Sequence, residues 1–62
     1  MDDFRVGRFS FENVERVAIN GTEGRFWEVR ELTGGAWVFR GRIFCPLSYS
    51  QDDIVEDFFS ED

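Results

Sequence analysis

The run from Arg25 to Cys45 limits the fold more than any other part of the chain. Two stretches rich in aromatic and β-branched residues, Arg25–Leu32 and Ala36–Cys45, flank Thr33-Gly34-Gly35. β-formers on both sides of a glycine pair read as an antiparallel hairpin. Pro46 has no N–H to give to a ladder, so the second strand is expected to end there. Strands are therefore placed over residues 25–32 and 36–45.

Pairing argues the register. A three-residue loop at 33–35 sets Val29 opposite Phe39, Trp27 opposite Gly41 and Arg25 opposite Ile43, with Glu28 facing Arg40 on the other side. A two-residue loop would put Arg30 against Phe39 and Val29 against Arg40, mixing apolar with charged groups. A slip of one residue exchanges the two faces of a strand, so the first register is preferred. It also lays the Trp27 ring over the bare backbone of Gly41, a known way to cover a glycine.

Upstream, Phe4–Phe11 is rich in β-formers, but its alternation breaks at Gly7: Phe4 and Val6 share one face, Phe9 and Phe11 the other. A strand over 4–11 with a bulge or bend at Gly7 is expected. Asp2 and Asp3, before it, are expected to be loose. Glu12-Asn13 reads as a turn, and 15–19 alternates cleanly as the next strand. Asn20-Gly21-Thr22-Glu23-Gly24 is turn chemistry, taken as a five-residue loop. With that loop Val17 opposes Trp27, and Arg16, Glu28 and Arg40 stand side by side across three strands.

Residues 51–60 read as a helix. Ser50 is a good N-cap, and Asp53 three residues on completes a box-like pattern. Ile54 with Phe58 and Val55 with Phe59 form one apolar stripe at four-residue spacing. A segment this short needs to dock in order to stay helical. The fold class is thus α+β: a small antiparallel β-sheet of three to four strands in a meander, with one C-terminal α-helix packed on one face, in a single domain over 1–62. The expected core is Val17, Ile19, Trp27, Val29, Trp37, Phe39, Ile43 and Cys45, covered by Ile54, Val55, Phe58 and Phe59.

Charge is distributed unevenly. Residues 1–51 hold seven carboxylates and seven arginines, so the whole net charge of −6 lies in residues 52–62. There Asp52, Asp53, Glu56, Asp57, Glu61 and Asp62 stand with no basic residue among them. Clustered positive charge is what phosphate backbones and anionic membranes require, so direct nucleic-acid or membrane binding is not expected. One cysteine excludes an internal disulfide and suits a reducing, cytoplasmic setting. No apolar run approaches the roughly 18 residues of a membrane span, and no basic-then-apolar leader is visible.

The inventory for catalysis is poor. With neither histidine nor lysine, nothing titrates near neutrality in the ordinary way. Cys45, in a strand and without a histidine to activate it, reads as a buried structural thiol. No phosphate-binding glycine loop is present, and one cysteine without histidine makes no ordinary zinc site. No enzyme activity, cofactor or metal is expected.

What remains is binding. The six C-terminal carboxylates are the expected contact for a protein partner with a basic surface. Phe26, Val38 and Phe44, among Arg30, Arg40 and Arg42, form a second candidate surface on the sheet's other face, of the composition favoured at interfaces. That strip is either covered by the N-terminal segment or free for contact. Minimal size and concentrated charge suit an inhibitor of the kind phages and mobile elements encode. Such a protein would block a nucleic-acid-binding surface on a defence nuclease, CRISPR complex or polymerase. The alternative is an adaptor or assembly subunit, a monomer or weak homodimer, whose acidic helix only keeps it in solution.

Overall fold

The structure is a computed structural model describing residues 3–60. Four strands, β1 (Phe4–Val6), β2 (Phe9–Ile19), β3 (Thr22–Thr33) and β4 (Ala36–Pro46), precede one helix, α1 (Gln51–Phe59). The sheet is an antiparallel meander in the order β1-β2-β3-β4. This is the α+β class expected from the sequence.

The turns are tighter than expected. Asn20-Gly21 and Gly34-Gly35 join their strands as two-residue loops, since Ile19 pairs with Thr22 and Thr33 with Ala36. All four residues have positive φ, from 52° to 80°, the backbone of type I′ turns that asparagine and glycine accept most readily. The expected loops of five and three residues are therefore replaced by shorter ones whose twist matches the strands. Gly7-Arg8 makes a third tight turn, with Val6 paired to Phe9. The expected single strand over 4–11 is in fact a hairpin, and its break falls at Gly7.

The expected turn at Glu12-Asn13 is strand. An irregularity between Asn13 and Glu15 leaves Val14 as an extra residue, with Asn13 opposite Trp27 and Glu15 opposite Phe26. A bulge strands backbone groups, and the Asn13 amide satisfies them by donating to the carbonyls of Phe26 at 3.1 Å and Glu15 at 3.4 Å. Asp3 accepts from the Asn13 N–H at 3.2 Å. Asparagine at 13 thus closes a bulge instead of starting a turn.

A second irregularity, at Arg40, governs the β3–β4 hairpin. Next to the turn Arg30 pairs with Phe39, the register rejected on pairing grounds; beyond it Val29 pairs with Gly41, Glu28 with Arg42 and Trp27 with Ile43. Relative to the expected register, the far half is displaced by two residues, which leaves its faces unchanged. The turn-proximal half is displaced by one, which exchanges them.

The bulges decide the core. Phe11, Trp27, Val29, Cys45 and Ile54 are buried, with Phe4, Phe9, Ile43, Val55 and Phe58 packed around them. Phe11, absent from the expected core, sits at its centre with no exposed surface. Four expected core residues lie elsewhere. The Val14 bulge turns Val17 and Ile19 to the face without the helix, where Val17 pairs with Gly24 and Ile19 with Thr22. The two-residue turn sends Trp37 and Phe39 to that same face, exposed by 39% and 52%.

A ring does cover a glycine, though not Trp27 over Gly41. Phe44 lies so close to Gly24 that an added Cβ would come within 2.6 Å of the ring and 2.5 Å of the Cys45 carbonyl oxygen.

Candidate functional site

The helix forms where its cap directs it. Ser50, extended at φ −82° and ψ 173°, accepts from the Asp53 N–H at 3.2 Å, and Asp53 in turn accepts from the Ser50 N–H at 3.1 Å. Asp52 and Asp53 lie in the first turn, where the helix dipole favours negative charge. Ile54 is buried, Val55 and Phe58 are half-buried, and the Phe58 ring meets Phe11 edge-on at 5.8 Å. Phe59 is exposed on one side and packs edge-on against Phe9 at 4.9 Å.

Docked in this way, the helix turns Asp52, Asp53, Glu56 and Asp57 to solvent. An open, shallow groove runs beside it, lined by Tyr49, Asp53, Glu56, Asp57 and Ser60. Of the expected contact residues, Glu61 and Asp62 lie outside the described residues. Asp53 has a structural duty in the cap, so Asp52, Glu56 and Asp57 are the free part of the display.

The sheet's carboxylates are in a different electrostatic condition. Arg30 spans Glu12 and Glu28 at 2.8 and 3.2 Å, Arg42 meets Glu15 at 3.2 Å, and Arg16 meets Glu23 at 3.6 Å. Glu31 holds both Arg8 at 3.3 Å and Arg40 at 2.9 Å. The expected ladder of Arg16, Glu28 and Arg40 is replaced by these pairs, because the shifted registers set Glu12 directly opposite Glu28 and Arg16 opposite Arg25. Arg30, bonded to both glutamates, relieves the first of those like-charge contacts. Each exposed pair contributes only a few tenths of a kcal/mol. Together they leave the sheet electrically balanced.

Against that balance the helix stands apart. Among the described residues, no arginine lies within ion-pair distance of Asp52, Glu56 or Asp57.

The face of the sheet away from α1 is open. Three arginines stand over aromatic rings there: Arg5 over Trp37 at 5.0 Å, Arg30 over Phe39 at 5.5 Å and Arg42 over Phe26 at 4.5 Å. Phe26 also meets Phe44 edge-on at 5.4 Å. Of the residues expected on this surface, Phe26, Arg30, Arg42 and Phe44 are together here. Val38, opposite Glu31, and Arg40, bonded to it, belong to the helix side. Sequence reasoning placed Trp37 and Phe39 in the core and left Arg5 out; Gly41, beside the bulge at Arg40, is the available signal, read there as a glycine covered by a ring. The described N-terminal residues do not cover the strip, since β1 lies at the sheet's edge with Phe4 on the helix side.

Cys45 is 1% exposed, and burial, then the Asp57 carboxylate, push its thiol up to about 11. A protonated, inaccessible sulfur is no nucleophile at neutral pH. Among the described residues no three metal-ligating side chains converge. No family model, no curated protein and no solved structure matches this chain.

Proposed function

We propose that this chain is a small protein-binding module that sets the acidic face of α1 against a basic surface of another protein. The supporting observation is the contrast in charge pairing: each glutamate of β2 and β3 has an arginine, whereas Asp52, Glu56 and Asp57 have none among the described residues. Unpaired carboxylates on one rigid element speed encounter with a basic partner and form charge-assisted hydrogen bonds to arginine on docking. A basic cleft that normally holds nucleic acid is the surface such a display fits, and occupying it excludes phosphate. In this reading the protein is an inhibitor of the phage or mobile-element type acting in the cytoplasm on a nuclease, CRISPR complex or polymerase, and it does no chemistry of its own.

The test uses the wild type and the Asp52→Lys/Glu56→Lys/Asp57→Lys variant as paired baits in a bacterial lysate. Asp53 is left intact so that the cap survives. The expected result is a basic, nucleic-acid-binding protein retained by the wild type, lost from the variant, and released in about 1 M salt, where the screening length is roughly 3 Å. A partner held equally by both baits would remove the proposal.

A further inference from the structure

We propose that the open face of the sheet is the interface of a homodimer in which two sheets pack face to face, with the helices outermost. Size is the first ground. Strands of up to 12 residues run along a molecule whose two longer axes measure 40 and 23 Å. That gives a face on the order of 900 Å², against the roughly 800 Å² that each partner contributes to a standard interface.

Surface chemistry is the second ground. Leu32, Trp37 and Phe39 are exposed together at one end of this face, and Phe26 and Phe44 lie half-buried toward the other. Around them Glu12, Glu15 and Glu28 are interleaved with Arg5, Arg30 and Arg42, three acids against three bases. An isologous interface must place one patch on its own copy. A patch of zero net charge, with acids and bases interleaved, meets that demand without repulsion.

Charge elsewhere directs self-association to this face. Copies meeting through α1 would bring Asp52, Glu56 and Asp57 against their own equivalents. Edge-to-edge pairing is blunted on both sides of the sheet: β4 carries the bulge at Arg40, and β2, beyond the three residues of β1, carries the bulge at Val14 followed by Glu15 and Arg16. Face-to-face packing puts the two acidic helices at opposite poles, across two sheets about 10 Å apart and beyond the screening length of about 8 Å at physiological salt. Single-stranded nucleic acid also stacks on aromatic and arginine platforms. Here, though, Arg30 and Arg42 already hold glutamates, and a phosphate chain would meet Glu12, Glu15 and Glu28.

Sedimentation of the full chain from about 1 to 500 μM tests this, over concentrations that bracket the weak end of interfaces of this size. Phe39→Glu and Trp37→Glu are the variants, since each places a carboxylate beside an arginine at an exposed position and leaves the buried core alone. A concentration-dependent dimer whose dissociation constant rises about tenfold or more in either variant is expected, as for an anchor residue at an interface centre. Unchanged far-ultraviolet circular dichroism shows that the variants are folded. A monomer at every concentration overturns the proposal, and so does a dimer indifferent to both substitutions. Fluorescence anisotropy with single-stranded oligonucleotides is run in parallel; binding that Phe39→Glu abolishes overturns it in favour of a nucleic-acid platform. The Asp52→Lys/Glu56→Lys/Asp57→Lys variant dimerises like the wild type, which separates this outcome from that of the acidic face.

Discussion

The ring of Phe4 lies parallel to that of Phe11, with 4.8 Å between centroids and 2° between planes. A three-residue edge strand has too few ladder bonds to hold itself in place, so β1 stays through this ring pair and the edge-on contact of Phe4 with Trp27 at 5.5 Å. Phe11 in turn receives the Phe58 ring of the helix. One side chain thereby joins the N-terminal strand, the sheet and α1.

Phe11→Ala is expected to cost about 3–5 kcal/mol, a typical loss for deleting a buried ring. That approaches the whole stability of a domain this small, so the variant should be largely unfolded at 37 °C. Urea titration followed by tryptophan fluorescence measures it. Phe4→Ala should spare the fold while speeding amide exchange in β2 beside β1.

At Gly24 the constraint is steric, since the Phe44 ring and the Cys45 carbonyl occupy the space a side chain would need. Gly24→Ala is expected to destabilise by about 1–3 kcal/mol, the usual cost of overpacking. A Gly24→Ala/Phe44→Leu double variant should recover part of the loss, because the ring is movable and the backbone carbonyl is not. Thermal melts of the four members of the cycle give the coupling directly.

Cys45 makes stability fall in alkali. Its thiol is held at about 11, above the ordinary value of 9.0, because burial disfavours the thiolate. Between those values the unfolded chain releases its proton and the folded chain keeps it, so the folded state binds more protons. The stabilisation is complete below about pH 9 and is lost as pH rises through 11. Cys45→Ala should flatten the alkaline limb of the stability profile, and the native thiol should react with disulfide reagents at pH 8 only as fast as the protein opens.

Asp53 and Glu56 are both exposed carboxylates of α1 with different duties. Asp53→Ala, which opens the capping box with Ser50, should cost about 1 kcal/mol. Glu56→Ala should leave stability within about 0.5 kcal/mol, as surface substitutions usually do. In the capture experiment the order reverses, with Glu56→Ala weakening the partner more than its effect on folding accounts for.

Local chemistry was legible in the residues themselves. Ser50 and Asp53 announced the cap, the stripe of Ile54, Val55, Phe58 and Phe59 announced the docked helix face, and the glycine pair at 34–35 announced the hairpin. Bulges were not legible, because the cost of an extra strand residue is repaid by distant partners. The Asn13 amide closes the bulge at Val14 through the Phe26 carbonyl on another strand. The Arg40 guanidinium reaches Glu31 across the hairpin at 2.9 Å. Neither contact is written in the local spacing. The bulge at Val14 turns Val17 and Ile19 to the open face; the bulge at Arg40 keeps Ile43 and Cys45 inside while the tight turn sends Trp37 and Phe39 to the open face. The acidic residues of α1 lie on its solvent side as expected, because the determinants of that helix are all within ten residues of one another.

The extra residue at Val14 acts as a parity switch within a single strand. Before it, odd-numbered side chains of β2 (Phe9 and Phe11) look toward the helix; after it, odd-numbered ones (Val17 and Ile19) look away. Removing the extra residue would leave Glu15 directly after Asn13 and still opposite Phe26, so every pair beyond it would keep its facing. Drawing Val14 into the ladder would instead turn the outer half of β2 inside out, bringing Arg16 and Ala18 round in place of Val17 and Ile19. What holds Val17 and Ile19 on the open face is thus the exclusion of one residue from the ladder, not the number of residues in the strand.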